Sequence, residues 1–352
     1  MAFTSSASAQ RQNIAVIGSG IAGMSAAWLL SQRHDVTLYE AADRLGGHSN
    51  TVIVNTSLGP TPVDTGFIVF NDATYPNLVS LFAHLGVETA WSDMSFGVSL
   101  NGGKTEYSSI GASAFLCGGR NLVSPRFWSM TWDLLRFYRE APRELRQTRE
   151  DMLSLGEYLS RRGYGAAFQD DHLLPQAAAI WSASMAEIHN YPACAFVRFF
   201  ENHGLLKVAG RPEWRTVAGG SRAYVAALTA PYAERARLGV GAVSVRRDVS
   251  GAWVADAQGR VDRYDQVVIA THADDALAML GDASAEERRI LGAFRYVKNH
   301  AVLHTDAALM PRRRPLWASW NYVGDNPEGG CVVSYWMNKL QNIASHEQIF
   351  LT

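Results

Sequence analysis

Residues 14–30 read IAVIGSGIAGMSAAWLL, with Gly18, Gly20 and Gly23 in G-x-G-x-x-G spacing between a short apolar run and a helix-forming one. Each glycine in an ordered element costs roughly 0.5–1 kcal/mol relative to alanine, so three together call for a ligand or a close backbone approach. Asn13–Ile17 suits a strand buried on both faces, and Ala22–Leu30, rich in Ala, Leu and Met, suits a helix. The segment DVTLYE then makes a second strand ending at Glu40, 20 residues beyond Gly20. In this βαβ context Gly18 makes the turn and Gly20 removes a side chain where a pyrophosphate meets the backbone. Gly23 lets the helix pack closely on the sheet. The N–H groups opening the helix, at Ile21 and Ala22, favour an anion together with the helix dipole. Glu40 is placed to accept ribose hydroxyls, and its charge disfavours a 2′-phosphate. The fold class read from this is α/β, with a Rossmann-like dinucleotide-binding domain.

The chain has 352 residues, which points to two domains. A net charge of −1 supplies no basic field for nucleic acid. Cys117, Cys194 and Cys331 are far apart and show no C-x-x-C spacing, so neither a disulfide framework nor a zinc site is expected and a reducing cytoplasm fits. Of the ten histidines only His300 and His304 stand in H-x-x-x-H spacing, without the glutamate of an H-E-x-x-H site, and no metal site is expected. The start, MAFTSSASAQRQ, lacks the apolar core of a signal peptide and reads as a tail. No apolar run reaches the roughly 18–20 residues needed to span a bilayer.

The residues after Glu40, EAADRLGGHSNT, contain Ala41, Arg44, Gly46, Gly47, His48 and Thr51. This E-x-x-x-R-x-G-G-x-x-x-T pattern resembles flavin-containing amine oxidases, phytoene-type desaturases and protoporphyrinogen oxidases. The resemblance implies FAD and a second, α+β substrate domain. It places the Arg44–His48 segment along the pyrophosphate and toward the flavin, and PVDTGFIVFN brings Asp64 and Gly66 near the flavin. WRTVAGGSRAYVAAL resembles the Gly219–Gly220 return from the substrate domain. LGVGAVSVRRD resembles the strand whose backbone, at Val243, grips adenine. YDQVVIATHADDALAML resembles the strand ending near the pyrophosphate at Ala270, Thr271 and His272. The chain is also similar to bacterial NAD/FAD-binding, amine-oxidase-like proteins whose genes often neighbour methyltransferases of the cyclopropane-fatty-acid-synthase type.

On this reading the FAD domain takes residues 1–75 and 210–275, and the substrate domain takes 76–209 (mainly helical) and 276–352 (sheet). Residues 126–164 read as helical with a break or restart at Pro142. Residues 251–264 read as a hairpin around AQGR, and 296–304 and 330–337 as substrate-domain strands. Lys298, on the first of these, corresponds to a lysine that holds a water near the flavin in many amine oxidases; a surface lysine is the alternative. Trp128, Trp132, Leu135 and Arg139 recur at helical spacing. A long amphipathic helix usually turns such a stripe to the core, with peripheral contact to the membrane's inner face as the alternative. Trp317, Trp320, Tyr322, Tyr335 and Trp336 read as core filling, with an aromatic wall over the flavin as the alternative.

The implied activity is hydride removal from a C–N or C–C unit of a small molecule. Two other classes stand beside it: oxidation or desaturation of lipid acyl chains, and a flavin-binding protein without turnover. The chain stops at SHEQIFLT, on an apolar strand-like run, with no later glycine-rich turn of the kind that completes the flavin site in the resembled family. The expectation is therefore a truncated member with an unpaired terminal strand.

Overall fold

The computed structural model describes residues 10–145, 153–181, 183–324 and 332–352. The N-terminal tail, Cys331, the GDNPEGG turn beyond Gly324 and part of the expected 126–164 helix lie outside these residues.

Four parallel strands form the dinucleotide sheet, in the order Ala236–Arg237, Asp35–Tyr39, Asn13–Ile17 and Gln266–Ile269. Ile17 pairs with both Tyr39 and Ile269, so the three longer strands end level. That register brings Gly18, Glu40 and Ala270, far apart in the chain, to one carboxyl edge, where parallel sheets place ligands. Backbone hydrogen bonds lock the edge: Gly18 N–H to Tyr39 (2.9 Å), Ala270 N–H to Ile17 (2.7 Å) and Glu40 N–H to Arg237 (3.0 Å).

Both faces of the sheet are covered, as the unbroken apolar strands require. Helix Ile21–Ser31 packs Met24 and Ala27 on one side. On the other, the antiparallel sheet Ala242–Asp248, Gly251–Asp256 and Val261–Tyr264 contributes Val245, Val254 and Tyr264 to a core with Ala15, Ile17 and Tyr39. Burying each large side chain here stabilises by about 1.5–3 kcal/mol. The hairpin around AQGR is thus present.

The six-stranded second sheet runs Leu303–His304, Phe350–Leu351, Val332–Trp336, Trp320–Gly324, Phe96–Leu100 and Thr105–Ser108. A helical lobe packs on it through Phe127, Met130, Phe137, Phe168, Phe196 and Phe200, which meet Val98, Tyr107 and Tyr322 in one core. The α+β partner of the dinucleotide domain is this sheet and lobe. Two helices pack beside the dinucleotide sheet. Pro76–Leu85 puts Phe82 against Phe70, Val217 and Tyr224 on the dinucleotide side. Ala273–Met279 puts Met279 into the core with Val245.

Three local expectations are corrected. Pro142 lies inside the helix Pro125–Leu145 and does not interrupt it. Its missing N–H forfeits one backbone bond. Of residues 296–304 only Leu303–His304 is strand; 296–302 are exposed and irregular, although Val302 still exchanges two backbone hydrogen bonds with Thr352, at 2.8 and 3.0 Å. The apolar run at the end is not an open edge either, because Phe350–Leu351 pairs with a strand on each side.

Candidate dinucleotide site

Several loops and helix starts enclose a cleft of about 950 Å³ at the carboxyl edge of the parallel sheet. The three glycines of the first loop do three different things. Gly18 has φ +96°, and an added Cβ would stand 2.7 Å from the Ala270 carbonyl oxygen. At Gly23 an added Cβ would stand 1.8 Å from the Gly18 carbonyl oxygen, so helix and strand touch there. Gly20 has ordinary φ −61° and ψ 174°, and an added Cβ would meet nothing within 4 Å. Nothing in the protein itself requires glycine at Gly20. The space its missing side chain leaves belongs to the cleft, which Ile21 and Ala22 also line. Helix Ile21–Ser31 starts there with no side-chain cap and no acid in its first turn, leaving its positive end to the cleft.

Glu40 and Ala41 form the opposite lip. Glu40 Oε2 accepts from the Ser19 N–H (2.9 Å) and hydroxyl (2.5 Å), and Oε1 from the Ala42 N–H (2.8 Å). A carboxylate offers about four acceptor positions, so Glu40 has room for one further hydroxyl, not two. Gly239 N–H bonds Ala42 O (2.8 Å) and Val240 N–H bonds Glu40 O (3.0 Å). These bonds hold Gly241, Ala242 and Val243 along the cleft. An added Cβ at Gly241 would stand 3.1 Å from the Ala41 Cβ.

The second glycine loop closes over the first. Gly46 and Gly47 have φ +115° and +58°, and a Cβ on Gly47 would reach 3.0 Å from the Gly20 Cα. Gly46, Gly47 and His48 line the cleft. Arg44 lies outside it and steadies the turn by donating to the Gly47 carbonyl at 3.0 Å. Ala270, Thr271 and His272 complete the far wall with Asp275 and Met279. The His272 ring stacks on Tyr296 at 4.0 Å and faces His48 at 6.2 Å.

Asp64, Gly66 and Lys298 are not part of this wall. Asp64, 1% exposed, accepts from the Ser221 N–H and hydroxyl, the Thr51 hydroxyl (2.6 Å) and the Gln341 amide (3.0 Å). It ties the first-domain hairpin to the start of helix Arg222–Thr229, and Gly220, with φ +85°, makes room for it. Burial pushes its carboxyl up, against the pull of these donors. Gly66 serves close packing, since a Cβ would stand 2.1 Å from the His48 carbonyl oxygen. Lys298 is exposed in an irregular segment, so it does not stand on the strand expected for it. The tail-end aromatics fill core: Trp317 with Trp336 and Phe350, and Trp320 with Tyr335.

The sequence reading passed over Gly241, Tyr224 and Met279 as cleft residues. Tyr224 shares a hydrogen bond with Ser49, and burial raises its phenol to about 12, so it remains neutral. Met279 and Asp275 stand four apart on one helix face, a spacing visible in the sequence once the helix is placed beside the cleft.

The model of the flavin-containing amine oxidoreductase family matches residues 21–318. The chain belongs to that family. AofH of Mycobacterium tuberculosis, named as a candidate flavin-containing monoamine oxidase, is 27% identical over 260 residues, covering 71% of this chain and 55% of AofH. The chain thus spans about half the length of the curated relatives it matches. Cyclohexylamine oxidase from Brevibacterium oxydans superposes with TM-score 0.67 at 16% identity, covering 97% of this chain and 75% of that one. A conjugated-linoleic-acid-producing fatty acid isomerase from P. acnes does so with TM-score 0.65 at 18% identity, covering 99% and 77%. At such identities these structures share the fold. The cofactor that goes with the family is FAD, and the open sphere at Gly20, the uncapped helix start and the Glu40 lip fit a dinucleotide.

Proposed function

We propose that this chain is an FAD-dependent oxidoreductase that removes a hydride equivalent from a C–N or C–C unit of a small molecule. The observation that carries the reading is Gly20, a glycine with no structural need to be one, beside an uncapped helix N-terminus. In this reading the N–H groups of the first helical turn hold the pyrophosphate, Glu40 accepts one ribose hydroxyl, and the backbone at Val243 meets adenine. Gly46 and Gly47 close over the dinucleotide without side chains to obstruct it. FAD, when bound, supplies two-electron oxidation. The residues of this chain bind, orient and exclude water; Tyr224 and Tyr39, both buried phenols held neutral, contribute no proton transfer at neutral pH.

A lipid acyl chain is the second substrate reading, and the exposed helix face described below favours it. The test is anaerobic bleaching of the FAD-loaded chain across a panel of amines, fatty acids and phospholipids. Bleaching by one class identifies the substrate class. A flavin that stays oxidised with every compound, while dithionite reduces it, contradicts an oxidoreductase role.

A further inference from the structure

The stripe expected to face the core faces solvent. Along helix Pro125–Leu145 the side chains of Phe127, Met130, Leu134, Phe137 and Ala141 are buried. Trp128, Trp132 and Leu135 stand on the opposite side, 47%, 70% and 50% exposed. They are spaced i, i+4 and i+7, so they form one ridge roughly two turns long. The preceding turn extends it: the Trp128 indole N–H donates to the Leu122 carbonyl at 2.9 Å, and Leu122 and Val123 are 52% and 86% exposed. A contiguous apolar ridge of this kind on a folded protein marks an interaction surface.

The charges around the ridge are distributed by sign. Arg139 continues it, 65% exposed, followed by exposed Arg143, and Arg120 and Arg126 are exposed at its other end. The acids of the same helix point elsewhere. Asp133 is buried and accepts from the Gly165 N–H at 2.8 Å. Glu140 and Glu144 lie on the flank and pair with Arg162 at 3.4 and 2.6 Å. Glu140 also meets Arg139 at 3.0 Å, and Arg126 is held by a bidentate pair with buried Asp171 at 2.7 and 2.8 Å, which leaves Arg120, Arg139 and Arg143 as the outward cations. The outward face therefore presents tryptophan, leucine and valine bordered by arginine.

We infer that this ridge docks on the surface of an anionic lipid bilayer, with the helix lying in the plane of the interface. Tryptophan prefers that depth because its ring is apolar and its N–H polar. The Trp132 indole N–H has no hydrogen-bond partner among the described residues and is free for a headgroup or ester oxygen. Arginine stems can lie along the acyl boundary while the guanidinium reaches phosphate. The shape favours lipid over a protein: a convex single-helix ridge sinks into a deformable interface, whereas a protein partner or a second copy needs a matching groove. Among the described residues no helix is long and apolar enough to cross a membrane, so the contact is peripheral. This docking does not depend on which substrate the flavin site takes.

The test is co-sedimentation of the full chain, with FAD added, on sucrose-loaded vesicles of phosphatidylcholine alone or with phosphatidylglycerol. The expected result is binding to the anionic vesicles that weakens with salt and falls about tenfold in Trp132→Glu/Leu135→Glu. Arg139→Glu/Arg143→Glu should lose the preference for anionic lipid. Trp132→Gln/Leu135→Gln gives the same test if the acidic pair fails to fold, and melting temperature and flavin content serve as folding controls. Equal binding of wild type and ridge variants, or no binding to either vesicle, overturns the inference. So does a dimer in analytical ultracentrifugation that the same variants dissolve while vesicles bind nothing, because the ridge is then a contact between copies.

Discussion

The carboxyl edge of the parallel sheet is built from backbone, whereas the helical lobe between residues 112 and 202 is built from side chains. At the edge, the fold depends on where Cβ atoms are missing: Gly18 and Gly23 let strand, turn and helix touch, and Gly20 leaves open space in the cleft. In the lobe, Phe127, Phe137, Phe168, Phe196 and Phe200 interlock in one core. Even its buried titratable network reads as structure. Tyr107 donates to the Asp171 carbonyl (2.7 Å) and meets His172 Nδ1 at 2.9 Å, while Tyr138 meets Nε2 at 3.3 Å. Since the Tyr107 proton goes to the carbonyl, Nδ1 carries the imidazole proton and Nε2 accepts from Tyr138. The difference teaches that ligand chemistry at the edge is written in spacing, and stability in the lobe is written in volume.

The sharpest way to break this comparison is at Gly23. Gly23→Ala places a methyl 1.8 Å from a carbonyl oxygen, which backbone cannot yield cheaply. The expected loss is about 3 kcal/mol or more, at the upper end for overpacking, seen as a large fall in the denaturant midpoint. A midpoint within error of wild type would mean that helix and strand are not in contact there.

In the lobe the test is acid. Burial lowers the His172 imidazole to about 3, below the usual value near 6.5. The neutral ring is favoured in the folded state, so its contribution is complete above pH ~6.5 and is lost as pH falls toward 3. The unfolding free energy of wild type should drop by a few kcal/mol across that window, and His172→Gln should flatten the drop. An identical pH slope in both proteins would place the titration elsewhere.

Glu40 probes the edge more gently. With three of its acceptor positions taken by Ser19 and Ala42, Glu40→Gln removes one charge-assisted hydrogen bond to the cofactor, about 1.5–3 kcal/mol. The FAD dissociation constant should rise tenfold or more by isothermal titration. An unchanged constant would show that Glu40 serves only the Ser19 loop. At the small end, Lys298→Met on the exposed segment should change melting and flavin content by less than about 0.5 kcal/mol equivalent; a clear loss of flavin would restore Lys298 to the site.

The same contrast explains what was legible in the sequence. Glycine spacing and the distance to Glu40 report backbone geometry directly, so the first turn was readable from Gly18 to Glu40; Gly47, Val243 and Ala270 were implied by the family resemblance, and each lines the cleft. Asp64 was not, because a carboxylate followed by a glycine looks alike whether it meets a cofactor or four internal donors; only the fold brings Ser221 and Gln341 to it. Lys298 was expected on a strand because YVKNHAVLH is rich in strand-forming residues, but backbone pairing reaches back only to Val302, through Thr352. The tryptophan stripe had the period of a buried face, and period alone does not say which side of a helix the core lies on.

The central claim, that Gly20 is glycine for the sake of a bound dinucleotide, is tested most directly by titrating FAD into wild type, Gly20→Ala and Gly20→Val while recording the melting temperature without cofactor. Because an added Cβ meets no protein atom within 4 Å and the backbone is in an ordinary region, the account predicts unchanged melting in the absence of FAD and a dissociation constant that rises in alanine and rises further in valine. Equal FAD affinity in all three proteins, or a melting temperature that falls with side-chain size before any cofactor is added, would contradict it.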